Sequence, residues 1–332
     1  MVGVVALSAL AACSSGGKDN AKPSPTVSPT PSPTASPSPK PASGDALTGL
    51  AAQGGPVVAV KIDNAPLARP YQKGIGRAAV VYQELVEGGL TRFLAIYEVK
   101  SAGTADVGPV RSARESDVAV LRAYDKVPIA FSGAQAGVIA IFRSAQRSGW
   151  LKDGSYDELS SAYRLGARRK DARNFFVDLG KLSALNPNNT VKDVGFTFSP
   201  GTPTTGVATP TAVARFSPFT RVGLTYHPST HTWSITQNGS PMPGVAPTNI
   251  VVQRVSIGGS RFVDVHHQPT PLTKSTGSGS VTVLRDGQRL TGIWRRAGFG
   301  ATRFYNAAGK QIALRPGPTW VLLLPTSGSL TF

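Results

Sequence analysis

The run GPVRSAR sets Arg111 and Arg114 on either side of Ser112, and Arg92 follows a Gly88-Gly89 pair earlier in the chain. Guanidinium forks match the oxygens of phosphate and carboxylate. A helix beginning at Ser112 would add free N–H groups and a dipole that favour the same anion. Arg92, Arg111, Ser112 and Arg114 are therefore the first candidate ligand-binding residues, with Glu87 the nearby carboxylate. The competing reading is structural. Ser112 and Glu115 fit a capping box that consumes those N–H groups, and the arginines would then pair with Glu84, Glu87 or Glu115.

A second candidate is the run YRLGARRKDARN, in which Arg164, Arg168, Arg169, Lys170 and Arg173 crowd around one acid, Asp171. It suits a polyanion or a membrane surface, with Arg173 and Asn174 as its contact residues; a solvated basic loop is the plain alternative. A third is the polar turn after the first apolar run, with Asp63, Asn64 and Arg69. Such a turn can line a pocket, and equally Asp63 and Asn64 can be hydrogen-bonded turn formers. The histidines offer less. His227 and His231 are four apart, but Pro228 breaks the helical geometry a zinc pair needs, and the glutamate of that motif is missing. Asp264, His266 and His267 sit in a strand-like run whose adjacent side chains face opposite ways. No metal site and no cofactor are expected, and no phosphate-binding Gly-Lys loop or nucleophile elbow occurs.

The elements that must position these residues can be read from periodicity. PVVAVKID is a buried strand. VVYQELVEGGLTRFLAIYEV reads either as two strands joined at Gly88-Gly89, a favoured hairpin turn, or as a helix capped by Gly88 and then a strand, and its β-branched and aromatic residues favour the hairpin. Val118, Leu121 and Tyr124 share one helical face, so a helix is predicted from Ser112. VPIAF is a short strand, followed by a helix over 134–147 and a third near 178–185. Beyond a linker at 199–212 the pattern is nearly all strand, with Asn238-Gly239 and Asp286-Gly287 as two-residue turns. TWVLLL is a buried strand. The expected fold class is an α/β N-terminal domain, a mixed sheet with helices, over 45–198. A smaller, mostly antiparallel β domain would follow over 213–332.

The chain has 332 residues and a net charge of +17, so an anionic partner is favoured. Its one cysteine, Cys13, excludes an intramolecular disulfide and argues against a cysteine metal site. Val2 to Leu10 is a short apolar run, well below the roughly 20 residues of a membrane span, and Leu10-Ala11-Ala12-Cys13 has the form of a bacterial lipoprotein signal. No Lys or Arg precedes the run, which departs from that pattern. Residues 1–13 are thus expected to be the signal and lipidation site. Residues 14–44, rich in Pro, Ser and Thr, would form a polyproline stalk. At ~3.1 Å per residue the stalk reaches roughly 95 Å when extended.

Four stretches, KIDNAPLARP, VEGGLTRFLAIY, GPVRSAR and LRPGPTWVLLLP, resemble the YerB-like lipoprotein family over about residues 55–328. The resemblance implies a surface-exposed lipoprotein with an N-terminal domain of unknown function and a smaller C-terminal one. It implies no established reaction. Two departures stand out. Members often carry a histidine before the asparagine where this chain has Ala172-Arg173-Asn174, and Pro-His where it has Pro241-Met242; both count against a catalytic histidine.

The function expected from these readings is that of an exported protein anchored through lipid on Cys13, at the outer face of the cytoplasmic membrane and reaching into the wall. It would bind an anionic cell-wall or lipid component, or an acidic envelope protein, in an arginine-rich cleft through Arg92, Arg111, Arg114 and Arg173. Nucleic acid is the less favoured partner for an exported chain. The alternative is an enzyme acting on a phosphorylated cell-wall or lipid-linked glycan, with Asp63 or Glu87 as base or metal ligand.

Overall fold

A computed structural model describes residues 44–332 apart from 169–173, 192 and 264–266. Cys13, the stalk, Arg169, Lys170, Asp171, Arg173, Asp264 and His266 lie outside the described residues. No helix among the described residues is long and apolar enough to cross a membrane.

The architecture is mostly β. Strands β1 (Val57–Asp63), β2 (Val80–Leu85), β3 (Thr91–Glu98), β4 (Val107–Val110) and β5 (Val127–Ala130) belong to one mixed sheet. In it β1 runs antiparallel to β3 and parallel to β5, and β2 is antiparallel to β3. The sheet continues into the second half of the chain. Thr319–Pro325, the TWVLLL strand, lies between β2 and Asn249–Val255 and is parallel to both. Gly277–Arg285 and Gln288–Arg296 extend the sheet as a hairpin turning at Asp286-Gly287. A separate antiparallel sheet holds Thr211–Ser217, Thr220–His227, Thr232–Gln237, Ser240–Pro241 and Ser329–Thr331. A two-stranded hairpin, Ile257–Val263 with Pro269–Thr273, stands apart from both.

Among the described residues the α-helices are few and short: α1 (Val99–Ala102), α2 (Glu115–Leu121), α3 (Ala136–Arg147) and α4 (Leu179–Ser183). The expectation of an α/β N-terminal domain is corrected accordingly. Three of the four helices have seven residues or fewer, and the sheet they flank is built from both halves of the chain. The reason is strand supply. β2 finds its second neighbour in the C-terminal TWVLLL strand, a pairing that no local periodicity encodes.

Both faces of β1 are covered, which is why PVVAVKID is apolar at nearly every position. Val58, Val60 and Ile62 pack with Phe93, Trp320 and Trp233 toward the separate antiparallel sheet. Val57 and Ala59 pack with Leu94, Ile96, Val138 and Phe142 under α2 and α3. Side-chain alternation then assigns Lys61 and Asp63 to the helix-covered face.

Candidate functional site

The predicted hairpin forms as read: β2 and β3 pair from Val80↔Ile96 to Leu85↔Thr91, and Gly88 and Gly89 take φ of 65° and 67° between them. Only glycine adopts that backbone at little cost. The turn is tied to the separate sheet, because the hydroxyls of Ser217 and Thr220 donate to the Gly89 carbonyl at 2.6 and 2.8 Å. This register sets Arg92 opposite Asp63 on one side and Glu84 on the other.

The helix expected at Ser112 begins three residues later, at Glu115. Its first turn is closed by Asp117, whose Oδ2 accepts from the Arg114 backbone N–H at 2.7 Å. Glu115 does not fold back on Ser112; it accepts from the Ser260 hydroxyl at 2.7 Å. Asp117 takes the capping role because its shorter side chain is held against β1. A seven-residue helix offers little dipole, so any anion preference here rests on the arginines.

A cleft of about 810 Å³ gathers Asp63, Glu87, Arg92, Arg111, Ser112 and Arg114. Its far wall is the start of α3, with Gly133, Gln135 and Val138, and its rim includes Val263, His267 and Thr270 of the isolated hairpin. The chain turns at Gly133 (φ 72°), and Gln135 caps α3 by accepting from the Gly137 N–H at 2.6 Å.

The charges in the cleft are unequally satisfied. Arg114 pairs with Glu87 and also donates to the Ala113 carbonyl at 2.9 Å. Burial alone would raise the Glu87 carboxyl, but the hydrogen bond and charge of Arg114, helped by the Thr270 hydroxyl at 2.7 Å, outweigh it and hold the pKa at about 2. Arg111 Nε lies 3.4 Å from Asp63 Oδ2, with about a third of its side chain (35%) open to solvent. Arg92 donates to the Ser112 carbonyl at 3.0 Å. Burial, then the positive charge of Arg114, push the Arg92 guanidinium down to about 9; Arg111 adds to this, while Asp63 and Glu87 oppose it.

Other predicted residues go elsewhere. Asn64 is buried in an amide network, donating to Thr91 Oγ1 at 2.9 Å and to Gln237 Oε1 at 3.3 Å, and Gln237 in turn bonds Gln83. Arg69 donates to the Gln237 carbonyl at 3.0 Å and lines a different cavity. Asn174 is buried at the sheet edge, with its amide donating to the Ala167 carbonyl at 2.6 Å, and does not line the cleft. Arg164 pairs with Asp106 and lies over the Phe176 ring. Among the described residues no group of three or more His, Cys, Asp or Glu could hold a metal.

Sequence reasoning missed Lys61, Glu84 and Asp117 as a group. The Lys61 ammonium bonds Glu84 and Asp117, the latter at 2.6 Å, in the interior behind the cleft. Burial, then the Asp117 charge, raise the Glu84 carboxyl to about 7 against the pull of Lys61. A lone lysine inside an apolar strand was the available signal, since buried lysines need partners. Nothing in the sequence announced Thr270, and His267 was weighed only as part of a metal site, not as a residue of this cleft.

Comparison with known proteins gives a consistent result. The model described as "Protein of unknown function (DUF3048) N-terminal domain" matches residues 47–192, and that described as "Protein of unknown function (DUF3048) C-terminal domain" matches 212–321. A curated relative, "Putative lipoprotein YerB" of Bacillus subtilis (strain 168), is 47% identical over 70 residues. That stretch covers 21% of this chain and only 20% of the relative. The crystal structure of YerB protein from Bacillus subtilis superposes with a TM-score of 0.70 at 21% identity, covering 86% of this chain and 99% of that one. At that identity the superposition speaks for the fold. With both of its domain models matched in order along one chain, this protein belongs to the DUF3048, or YerB-like, family.

Proposed function

We propose that the protein is an exported lipoprotein, anchored at the outer face of the cytoplasmic membrane through Cys13. Its cleft would hold an anionic group of an envelope component or of an acidic partner. The lipoprotein part is supported by the Leu10-Ala11-Ala12-Cys13 signal and by the name of the curated relative. The binding part rests on one observation above the rest. Three arginines converge on one cleft with two carboxylates, and Arg92, crowded by the other two, has only a backbone carbonyl as its hydrogen-bond partner among the described residues. An incoming anion relieves that crowding in a partly desolvated site, where charge-assisted hydrogen bonds are strong.

The enzyme reading is favoured by the 3.4 Å approach of Asp63 to Arg111, which puts a carboxylate beside the cations. It is weakened by Glu87, whose pKa of about 2 and pairing with Arg114 make it a weak base near neutral pH. Binding is therefore the better supported reading. The test is calorimetry of the unlipidated full chain with orthophosphate at low and moderate salt, compared with an Arg92→Lys/Arg111→Gln variant. Saturable binding that weakens at least tenfold in the variant supports the cleft. Equal binding by both proteins overturns it.

A further inference from the structure

The residues set apart from the cleft build a second cavity. A groove of about 680 Å³ runs between the loop carrying Pro66, Arg69, Gln72 and Arg77 and the turn carrying Ser240 and Met242. Among the described residues its lining holds two arginines and no carboxylate. Arg69 donates to the Asn64 carbonyl at 3.3 Å and to the Gln237 carbonyl at 3.0 Å. Arg77 donates to the carbonyls of Ala102 at 2.6 Å and Ala105 at 2.9 Å. Carbonyl groups fix a guanidinium in place without neutralising it. Burial also lowers the Arg69 pKa, as expected for a cation short of countercharge.

The groove and the cleft share a rim. Ala65 lines the cleft and the next residue, Pro66, lines the groove. Gln72, in the groove, donates to the backbone carbonyl of Asp63 at 2.8 Å, while Asp63 itself lines the cleft. Consecutive residues thus border both cavities, which sets their linings side by side at Ala65-Pro66.

We infer that cleft and groove are two subsites of one extended surface whose ligand is a linear polyanion with repeating phosphate groups; this rests on the cleft reading above. Phosphate fits better than carboxylate for a reason of donor geometry. Arg77 gives one N–H of Nη1 to Ala102 and both of Nη2 to Ala105 and Asp106, so it offers no complete fork to a planar carboxylate, and Arg69 has already given its Nε–H and one N–H of Nη1. A phosphate takes single N–H groups from several directions. Among the described residues neither cavity is lined by Phe, Tyr or Trp. Proteins that hold single-stranded nucleic acid stack its bases on such rings, so the repeating unit is one without bases.

The test uses the unlipidated full chain and four probes: orthophosphate, tripolyphosphate, long-chain polyphosphate and a single-stranded oligonucleotide. Linking anions that reach both subsites raises affinity by about 100-fold or more over one subsite. Long-chain polyphosphate is therefore expected to bind at least that much more tightly per chain than orthophosphate. Ser240→Glu places a carboxylate in the groove from an exposed position without touching either arginine, and Arg77→Gln removes one charge. Each should weaken long-chain binding at least tenfold and leave orthophosphate binding unchanged. Long-chain affinity that survives both substitutions overturns the second subsite while the cleft reading stands. Loss of orthophosphate binding in neither groove nor cleft variants sinks the cleft reading instead. An oligonucleotide that binds as tightly per phosphate as polyphosphate overturns the ligand class.

Discussion

Lys61 and Asp117 meet at 2.6 Å, and neither side chain has any surface left exposed. The second oxygen of Asp117 holds the Arg114 backbone N–H at 2.7 Å, and Arg114 in turn holds Glu87. A buried ion cluster thus runs from the middle of β1 to the floor of the cleft, and it orients a cleft arginine through the backbone rather than by direct contact.

Lys61→Met is expected to destabilise the protein by about 3–5 kcal/mol, because it strands two buried carboxylates that have no other cation in contact among the described residues. Urea unfolding of the full chain measures this. Adding Glu84→Gln and Asp117→Asn to Lys61→Met should recover a large part of the loss. A triple variant no more stable than the single one would show that packing, not charge, dominates there.

Glu84 and Glu87 predict opposite pH dependences. The folded chain holds a proton on Glu84 up to about pH 7, whereas the unfolded chain releases it near 4.5. Folding is therefore favoured below 4.5, and this contribution is lost as pH rises toward 7. Glu87 is the reverse: its folded value of about 2 lies below 4.5, so its contribution is full above 4.5 and is lost as pH falls toward 2. Stability measured across this range should lose its decline between pH 4.5 and 7 in Glu84→Gln and keep it in Glu87→Gln.

These carboxylates mark where sequence reading succeeds and where it stops. The β2–β3 hairpin was legible because Gly88-Gly89 separates two runs rich in β-branched and aromatic residues, and the Asp286-Gly287 hairpin for the same kind of reason. Arg92, Arg111 and Arg114 were grouped from the sequence by their anion-matching chemistry, and it is the β1–β3 register, with Arg92 opposite Asp63, that brings them into one cleft. The start of α2 was misplaced because Ser112–Glu115 and Arg114–Asp117 both have capping spacing, and only the buried Lys61 decides between them. The parallel pairing of Thr319–Pro325 with β2 joins residues far apart in the chain. Hydrophobicity identifies such a strand but not its neighbours.

The isolated hairpin should be coupled to the cleft through specific hydrogen bonds. Thr270 donates to Glu87 at 2.7 Å, Ser260 to Glu115 at 2.7 Å, and the Thr273 N–H to Ser116 Oγ at 2.9 Å. Thr270→Val removes a bond to a charged acceptor, which costs about 1.5 kcal/mol or somewhat more. A double-mutant cycle with Glu87→Gln should return a coupling of about 1 kcal/mol. A coupling near zero would mean that the hairpin covers the cleft without being held to it by this bond.

Gly76 gives the sharpest structural check on the groove. A Cβ built there would sit 1.8 Å from the carbonyl oxygen of Gly244, a backbone atom with no rotamer to change. Both residues line the groove, and Gly244 turns at φ 74°. Gly76→Ala must therefore drive the loop at 74–77 and the turn at 240–245 apart. Overpacking of this kind costs about 1–3 kcal/mol, and it separates the groove wall bearing Arg77 from the wall bearing Ser240. Gly259→Ala is the matched control, since a Cβ at Gly259 meets nothing within 4 Å. If the groove is a working subsite, Gly76→Ala lowers both the melting temperature and long-chain polyphosphate affinity, while Gly259→Ala changes neither appreciably. A drop in melting temperature with unchanged polyphosphate affinity would leave the close approach of Gly76 and Gly244 as a packing feature alone.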